Sequence, residues 1–338
     1  MVLLTKSFNP APAGNMKSGP KPGDETTRVH YIYDPWNRLT EVRADDSGSA
    51  GALIAKYSYD GLNRRIEKEV TAGSVDTHYY YNTSWQCLEE RRVDGSGVTT
   101  EANQYVWSAR YIDSPIVRFH DDNGDGDLLD AGDTTRYYTT DANHNVTAVI
   151  DAATGNVVTR YAYTPYGDAT AYDTDWSNPT TPTEDGPLYC GYFFDAESEL
   201  YQVRNRYYDS SIGGFVSRDP IGYRAGDVNL YRYVANRPTA LRDPLGTYST
   251  LMGCLKSPAA LSVCIQTGVV SKGDVIKRFM NIGQTRVVKQ LVKMGGEVVK
   301  CGGKGSHIKV KLGGETFTIA DPVSRGVAKQ ILDKLLDM

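Results

Sequence analysis

The sequence predicts a chain that is mostly β over residues 29–246 and ends in a small α+β domain at residues 285–338. Three observations predict this. A tyrosine-rich motif recurs along the first part, residue usage changes sharply near position 247, and near the C-terminus the spacing of apolar residues switches from a helical period to a period of two and back.

Residues 1–28 are rich in Pro, Gly, Ser and Lys and read as a disordered leader or a truncated end. The repeat then begins. YIYDPWNR (31–38) and YSYDGLNR (57–64) share the pattern Y-x-Y-D-x-x-N-R at a spacing of 26 residues. YYYNTSWQ (79–86) is a worn third copy with Asn82 in the Asp place. Each copy alternates aromatic or aliphatic with polar residues and then breaks at turn formers, the pattern of strand, turn, strand. Recurrence on this length scale marks units that bury their faces against neighbours.

Net charge divides the chain at the same place. Residues 247–338 hold 14 Lys and Arg against 6 Asp and Glu, while residues 1–246 hold 23 against 35. Of the 24 tyrosines only Tyr248 lies in the basic part. Opposite charge and different composition read as two modules, of which the basic one seeks a polyanion. Five scattered cysteines without a C-x-x-C pair argue against a disulfide scaffold and a structural zinc site. The N-terminus has no apolar run suited to a signal peptide, and no stretch approaches the length of a membrane span.

The run DDNGDGDLLDAGD (121–133) has the spacing of a calcium loop. Asp121, Asn123, Asp125 and Asp127 fall at positions 1, 3, 5 and 7, with Gly126 at 6. Position 12, where a bidentate Glu would stand, is Gly132, with Asp133 one residue late. A metal-free acidic hairpin loop fits the same residues.

The Y-x-Y-D units resemble the YD repeats of Rhs proteins, teneurins and insecticidal toxin-complex C subunits. TTDANHNVTAVIDAATGNVVTRYAYTPYG (139–167), LYQVRNRYYDSSIGGFVSRDPIG (200–222) and GDVNLYRYVANRPTALRDPLG (226–246) resemble the Rhs core. Ser210 and Gly214 depart from the Pro and Arg usual in its R-Y-Y-D-P-x-x-G-R-F stretch. The resemblance implies a β-shell that encloses a variable C-terminal passenger. With the few repeats present, this chain reads as a partial shell, the C-terminal end of a larger one with an upstream YD-repeat portion, a degenerate copy or a gene fragment. It also implies export or delivery at a cell surface, and self-cleavage just after the closing D-P-x-G motif by its aspartates. Here those are Asp219 and Asp243, 24 residues apart, and Thr247 stands where the family carries Leu. Paired carboxylates can share a proton, one acting as base and the other as acid. Turn capping accounts for the same two D-P-x-G runs.

Residues 247–284 read as a linker and the start of the variable tail. Beyond them, TRVVKQLVKMGG places Val287, Val288, Leu291 and Val292 on one helical face. EVVKCGG reads as a strand, SHIKVKLGG as a second with Ile308, Val310 and Leu312 on one side, and ETFTIA as a third with Phe317 and Ile319 inward. SRGVAKQILDKLLDM reads as a helix capped by Ser324 that buries Val327, Ile331, Leu332 and Leu335. The order α-β-β-β-α resembles the double-stranded-RNA-binding fold and, more closely, HicA-type mRNA interferases. That resemblance places Gly305-Ser306-His307 at the family's catalytic histidine, and Ile308 where a further His often stands.

An imidazole can deprotonate a 2′-hydroxyl or protonate a leaving oxygen near neutral pH without a metal. Lys309 and Lys311 share the strand face with His307, and Lys304 and Ser306 precede it, a grouping suited to phosphates. An exposed histidine on a strand that binds RNA without cutting it fits the same residues. The first reading implies RNA, not DNA, as substrate, no required cofactor, and a cognate immunity protein, expected to be acidic. The competing reading is a structural or surface-interaction protein whose repeats bind glycans or partners, with a vestigial tail.

Overall fold

The structure, a computed structural model, describes residues 9–10, 13–71, 75–128, 130–225, 227–247, 261, 265, 272–281, 284–299, 308–320 and 322–338. The chain divides into two compact units, Met1–Thr247 and Tyr248–Met338. Among the described residues no helix is long and apolar enough to cross a membrane.

Among the described residues the large sheet of the first unit has fourteen strands, β1 (Asn9–Pro10) to β14 (Ala169–Tyr172), paired antiparallel in chain order. The expected disordered leader is corrected in part: β2 (Met16–Lys21) pairs with β3 (Asp24–Tyr33), with Ser18 opposite His30. Asn15 and Ser18 are buried, and the Met16 amide donates to the Val216 carbonyl at 2.8 Å. Glycine and proline within this hairpin gave it the composition of an unfolded segment.

The repeat motif is explained by its turns. Asp34 Oδ1 accepts from the amides of Trp36 (2.9 Å) and Arg38 (3.0 Å), and Asp60 Oδ1 does the same for Leu62 and Arg64, both at 2.9 Å. Asn82 caps Ser84 (2.9 Å) and Gln86 (3.0 Å) in the worn copy, so the Asn keeps the Asp's function. The residue before the last has positive φ in all three: Asn37 (63°), Asn63 (71°) and Trp85 (65°). A tight turn closed by a left-handed residue leaves a bulge in the following strand, and Asn tolerates that conformation best after Gly. The arginine after it returns to the same aspartate, Arg38 to Asp34 at 2.6 Å and Arg64 to Asp60 at 2.7 Å. Asp94 and Asp141 cap two further turns in the same way, without the full Y-x-Y that would have marked them: Asp94 lacks both tyrosines and Asp141 keeps only Tyr138.

In the second unit, α1 (Lys272–Asn281) and α2 (Gln284–Lys293) precede β20 (Glu297–Val299), β21 (Ile308–Leu312) and β22 (Glu315–Ile319), with α3 (Arg325–Leu336) last. The strands pair antiparallel in that order. Val287, Val288 and Leu291 join Val310, Leu312, Phe317, Ile331, Leu332 and Leu335 in one core. Val292, expected inward, is 46% exposed, because it lies a further helical step beyond the stripe that α2 buries. Leu261, Val275 and Phe279 complete this core, so the boundary expected at residue 285 falls too late. Ser324 caps α3, its side chain accepting from the Val327 amide at 3.3 Å.

A second sheet completes the first unit: β15 (Gly186–Pro187), β16 (Phe193–Asp195), β17 (Leu200–Val203), β18 (Arg206–Asp209) and β19 (Gly214–Phe215), in that order. Leu200, Tyr207 and Val216 pack with Val29, Tyr31, Leu39, Val42, Ala55 and Tyr57 of the large sheet. In each Y-x-Y the two tyrosines face a pair of buried residues on the next strand: Val42 and Leu39, then Lys68 and Arg65, then Glu90 and Cys87. The second copy thus buries two cations where the first buries aliphatics. Asp195 takes Arg65 through two bonds, 2.5 and 3.0 Å. Lys68 Nζ lies 2.7 Å from Asp185, 3.4 Å from Asp195 and 3.0 Å from Glu197. Burial opposes the Asp195 charge, yet Arg65 and Lys68 together hold its carboxyl below the ordinary value. Burial, reinforced by Asp195, pushes Glu197 up to about 7.

Since its folded-state value lies above the ordinary 4.5, Glu197 contributes stability that is whole below about pH 4.5 and lost as pH rises through about 7. Glu197→Gln is therefore expected to unfold together with the wild type at pH 4.5. At pH 8 the variant should be the more stable by up to about 3 kcal/mol in urea titrations. A wild type no less stable at pH 8 than the variant would contradict this.

Candidate self-cleavage site

Each D-P-x-G run forms the turn that its composition dictates. The Gly222 amide returns to the Asp219 carbonyl at 2.9 Å, and the Gly246 amide to the Asp243 carbonyl at 3.1 Å. Each aspartate caps its own turn, Asp219 Oδ1 accepting from Ile221 (2.9 Å) and Asp243 Oδ1 from Thr247 (3.0 Å). Gly246 has φ of 65°, and a Cβ there would stand 2.5 Å from the Val203 carbonyl oxygen, so both conformation and space require glycine.

The two turns meet on one cation. Arg206 Nη2 lies 3.5 Å from Asp219 and 3.4 Å from Asp243, with all three side chains almost fully buried. Its Nε donates to the Gly246 carbonyl and its Nη1 to the Leu230 carbonyl at 3.0 Å, while its guanidinium lies over the Phe215 ring. Burial pushes Arg206 below its ordinary value, against the opposing pull of Asp243 and Asp219. The Asp243 amide donates to the Tyr192 hydroxyl at 2.9 Å. A guanidinium between two carboxylates offsets their mutual repulsion and holds them together out of water. Thr247, whose amide Asp243 holds, is the last residue of the first unit.

The aspartates were legible as a pair of motifs, but Arg206 was not singled out. It lies within the R-N-R-Y-Y-D stretch of the Rhs-like segment, where a basic residue heading a fully buried strand, β18, was the available signal.

The remaining site residues lie elsewhere. Asp121 is buried, and its carboxylate accepts from the amides of Asn123, Gly124 and Gly126 at 3.3, 2.6 and 2.9 Å. Asn123 and Asp125 each cap the amide two residues on, and Asp127 is exposed. Among the described residues the acidic group with the tightest mutual spacing is instead Asp185, Asp195 and Glu197, already filled by the Lys68 ammonium. In the second unit Lys309 and Lys311 are exposed on the face of β21 opposite Val310 and Leu312, beside Thr318 and Thr316. Lys304, Ser306 and His307 lie outside the described residues.

Arg206→Met is expected to destabilise the protein by about 3–5 kcal/mol, because it leaves two buried carboxylates without their cation. Adding Asp219→Asn and Asp243→Asn should recover more than half of that loss in urea unfolding. Independent, additive losses from the three changes would show that the residues do not act together.

No protein-family model matches the chain. It is 29% identical over 241 residues to the tRNA3(Ser)-specific nuclease WapA of Bacillus spizizenii, a match covering 69% of this chain and 9% of that protein. It is 27% identical over 253 residues to double-stranded DNA deaminase toxin A of Burkholderia cenocepacia, covering 71% of this chain and 17% of the relative. A solved TcdB2–TccC3 structure aligns with a TM-score of 0.49 at 25% identity, over 64% of this chain and 10% of that one. The chain thus spans less than a fifth of the length of these proteins. Its relatives include Rhs-type toxins, among them nucleases, and also a salivary gland surface protein of Aedes aegypti, 32% identical over 220 residues.

Proposed function

We propose that this chain is the C-terminal part of a Rhs-type polymorphic toxin. Its YD-repeat core cuts the chain just after the closing D-P-L-G turn, and the basic tail then acts as a metal-independent endoribonuclease. The observation that carries the reading is the meeting of Asp219 and Asp243 on Arg206, with the Thr247 amide on Asp243 at the end of the first unit. In the cut, one carboxylate accepts a proton from a water whose oxygen adds to the peptide carbonyl. The other carboxyl protonates the departing nitrogen as the C–N bond breaks. The relatives support a division of labour: a tRNA nuclease and a DNA deaminase each match about seventy per cent of this chain, so the shared portion serves more than one activity.

For the tail, the support is the exposed pair Lys309 and Lys311 on an uncovered strand face, together with the G-S-H sequence at 305–307. In this reading His307 moves the protons, and Lys304, Ser306, Lys309 and Lys311 hold the phosphates. A cognate immunity protein covers the basic face in the producing cell. The 121–133 loop is proposed to take Ca²⁺ through Asp121, Asn123, Asp125 and Asp127.

Mass spectrometry of the purified wild type is expected to show two pieces meeting near Thr247, and Asp243→Asn a single chain. An intact wild type would remove the self-cleavage reading. Induced in a bacterial host, the tail should arrest growth and degrade RNA, and His307→Ala should do neither. Arrest by both versions would take His307 out of the chemistry, and arrest by neither would favour a structural surface protein.

A further inference from the structure

The closing turn is held by more than its own hydrogen bonds. Three consecutive residues, two in the turn between β17 and β18 and the first of β18, reach three consecutive carbonyls of D-P-L-G. Arg204 Nη1 donates to the Pro244 carbonyl and Arg206 Nε to the Gly246 carbonyl. Between them, Asn205 donates to the Leu245 carbonyl twice, from Nδ2 at 3.0 Å and from its amide at 3.4 Å. A four-residue turn needs only its own 3.1 Å bond and the Asp243 cap to form. The additional bonds set where it stands, not whether it folds.

Arg204 has φ of 45°, a left-handed conformation that costs a non-glycine residue about 1 kcal/mol or more and is kept only where the surroundings enforce it. Its surroundings come from the repeat sheet. Asp113, in the connection between β9 (Thr99–Trp107) and β10 (Pro115–Asp121), takes Arg204 through two bonds at 2.6 and 3.0 Å. The carbonyl of Trp85, the left-handed residue of the third repeat turn, lies 3.4 Å from Nη2. Asn205 Oδ1 accepts at 3.1 Å from Asn63, the left-handed residue of the second repeat turn.

We infer that Arg204 and Asn205 are positioning residues for self-cleavage: they seat the closing turn on the second and third repeats, so that the chain is cut only when those repeats are folded beneath it. This rests on the self-cleavage reading. Arg206 touches the carboxylates, whereas Arg204 and Asn205 act through the carbonyls of residues 244 and 245. Misplacement of a reacting group by about 1 Å costs on the order of a hundredfold in rate. Arg204 and Asn205 should each account for part of such a loss without changing the groups that titrate.

The test follows the full chain in cell-free translation, measuring the rate of splitting from pH 5 to 9 for the wild type, Asn205→Ala, Arg204→Lys and Asn63→Gly. Asn63→Gly keeps the left-handed turn at this position and removes the donor to Asn205, which guards against a variant that fails to fold. Asn205→Ala and Arg204→Lys are expected to split about ten to a hundred times more slowly, and Asn63→Gly about threefold more slowly. All should keep the wild-type pH midpoint and a cooperative thermal transition. Wild-type rates in the first two would overturn the inference, and so would a displaced midpoint, which would mean an action on the titrating pair. If the wild type does not split, the self-cleavage reading falls, and amide exchange at Gly246 and Thr247 decides the clamp alone. Faster exchange in Asn205→Ala would support it, and unchanged exchange would overturn it.

Discussion

The first unit depends on one small interaction made repeatedly: a carboxylate or amide oxygen at the start of a hairpin turn accepting from two amides inside it. A meander of fourteen strands has no crossover helices to hold its order, so each turn must fix the register of the next pair by itself. Asp34, Asp60, Asn82, Asp94 and Asp141 do so by the same geometry. The left-handed residue that follows puts a bulge into the strand, and the bulge twists the sheet. The tyrosines that make the motif conspicuous are a consequence. With register fixed, two aromatic rings per unit face the same interior row, and their ring areas supply much of the apolar burial.

This is why the repeat could be read from the sequence and other parts could not. Y-x-Y-D-x-x-N-R concentrates a cap, a left-handed Asn and a returning Arg into eight residues, so the signal is local. Asn82 could be recognised as a substitute because Asn offers the same oxygen. The hairpin at residues 16–33 escaped because its partners for Asn15 and Met16 lie about two hundred residues away, at Arg218 and Val216. Within a window of a few residues, its Gly, Pro and Lys resemble an unfolded tail. In the second unit, helix-period and strand-period apolar residues alternate cleanly, so the elements from α2 to α3 could be read. Val292 was misplaced because a valine beside a buried stripe looks the same as one within it.

The candidate site divides along the same line. Asp219 and Asp243 announce themselves because a D-P-x-G run is a local turn signature. Arg206 joins them only through the folding of β18 between β17 and β19, a long-range fact with no local pattern. The same holds for Arg65 and Lys68, which read as ordinary strand charges until Asp185, Asp195 and Glu197 arrive from more than a hundred residues later. Buried ion pairs of this kind contribute little net stability compared with well-packed apolar residues.

Their consequence is one of uniqueness. A sheet built from near-identical hairpins has approximate translational symmetry, and a covering layer that packs by shape alone could settle one unit forward or back at little cost. The interior pair changes from Leu39 and Val42 to Arg65 and Lys68 to Cys87 and Glu90 along three successive units. Asp195 displaced to either neighbouring unit would bury its charge against aliphatic side chains or beside another carboxylate. The unlike middle unit therefore works as an address on an otherwise periodic surface, and the layer carrying the closing turn has one place to land.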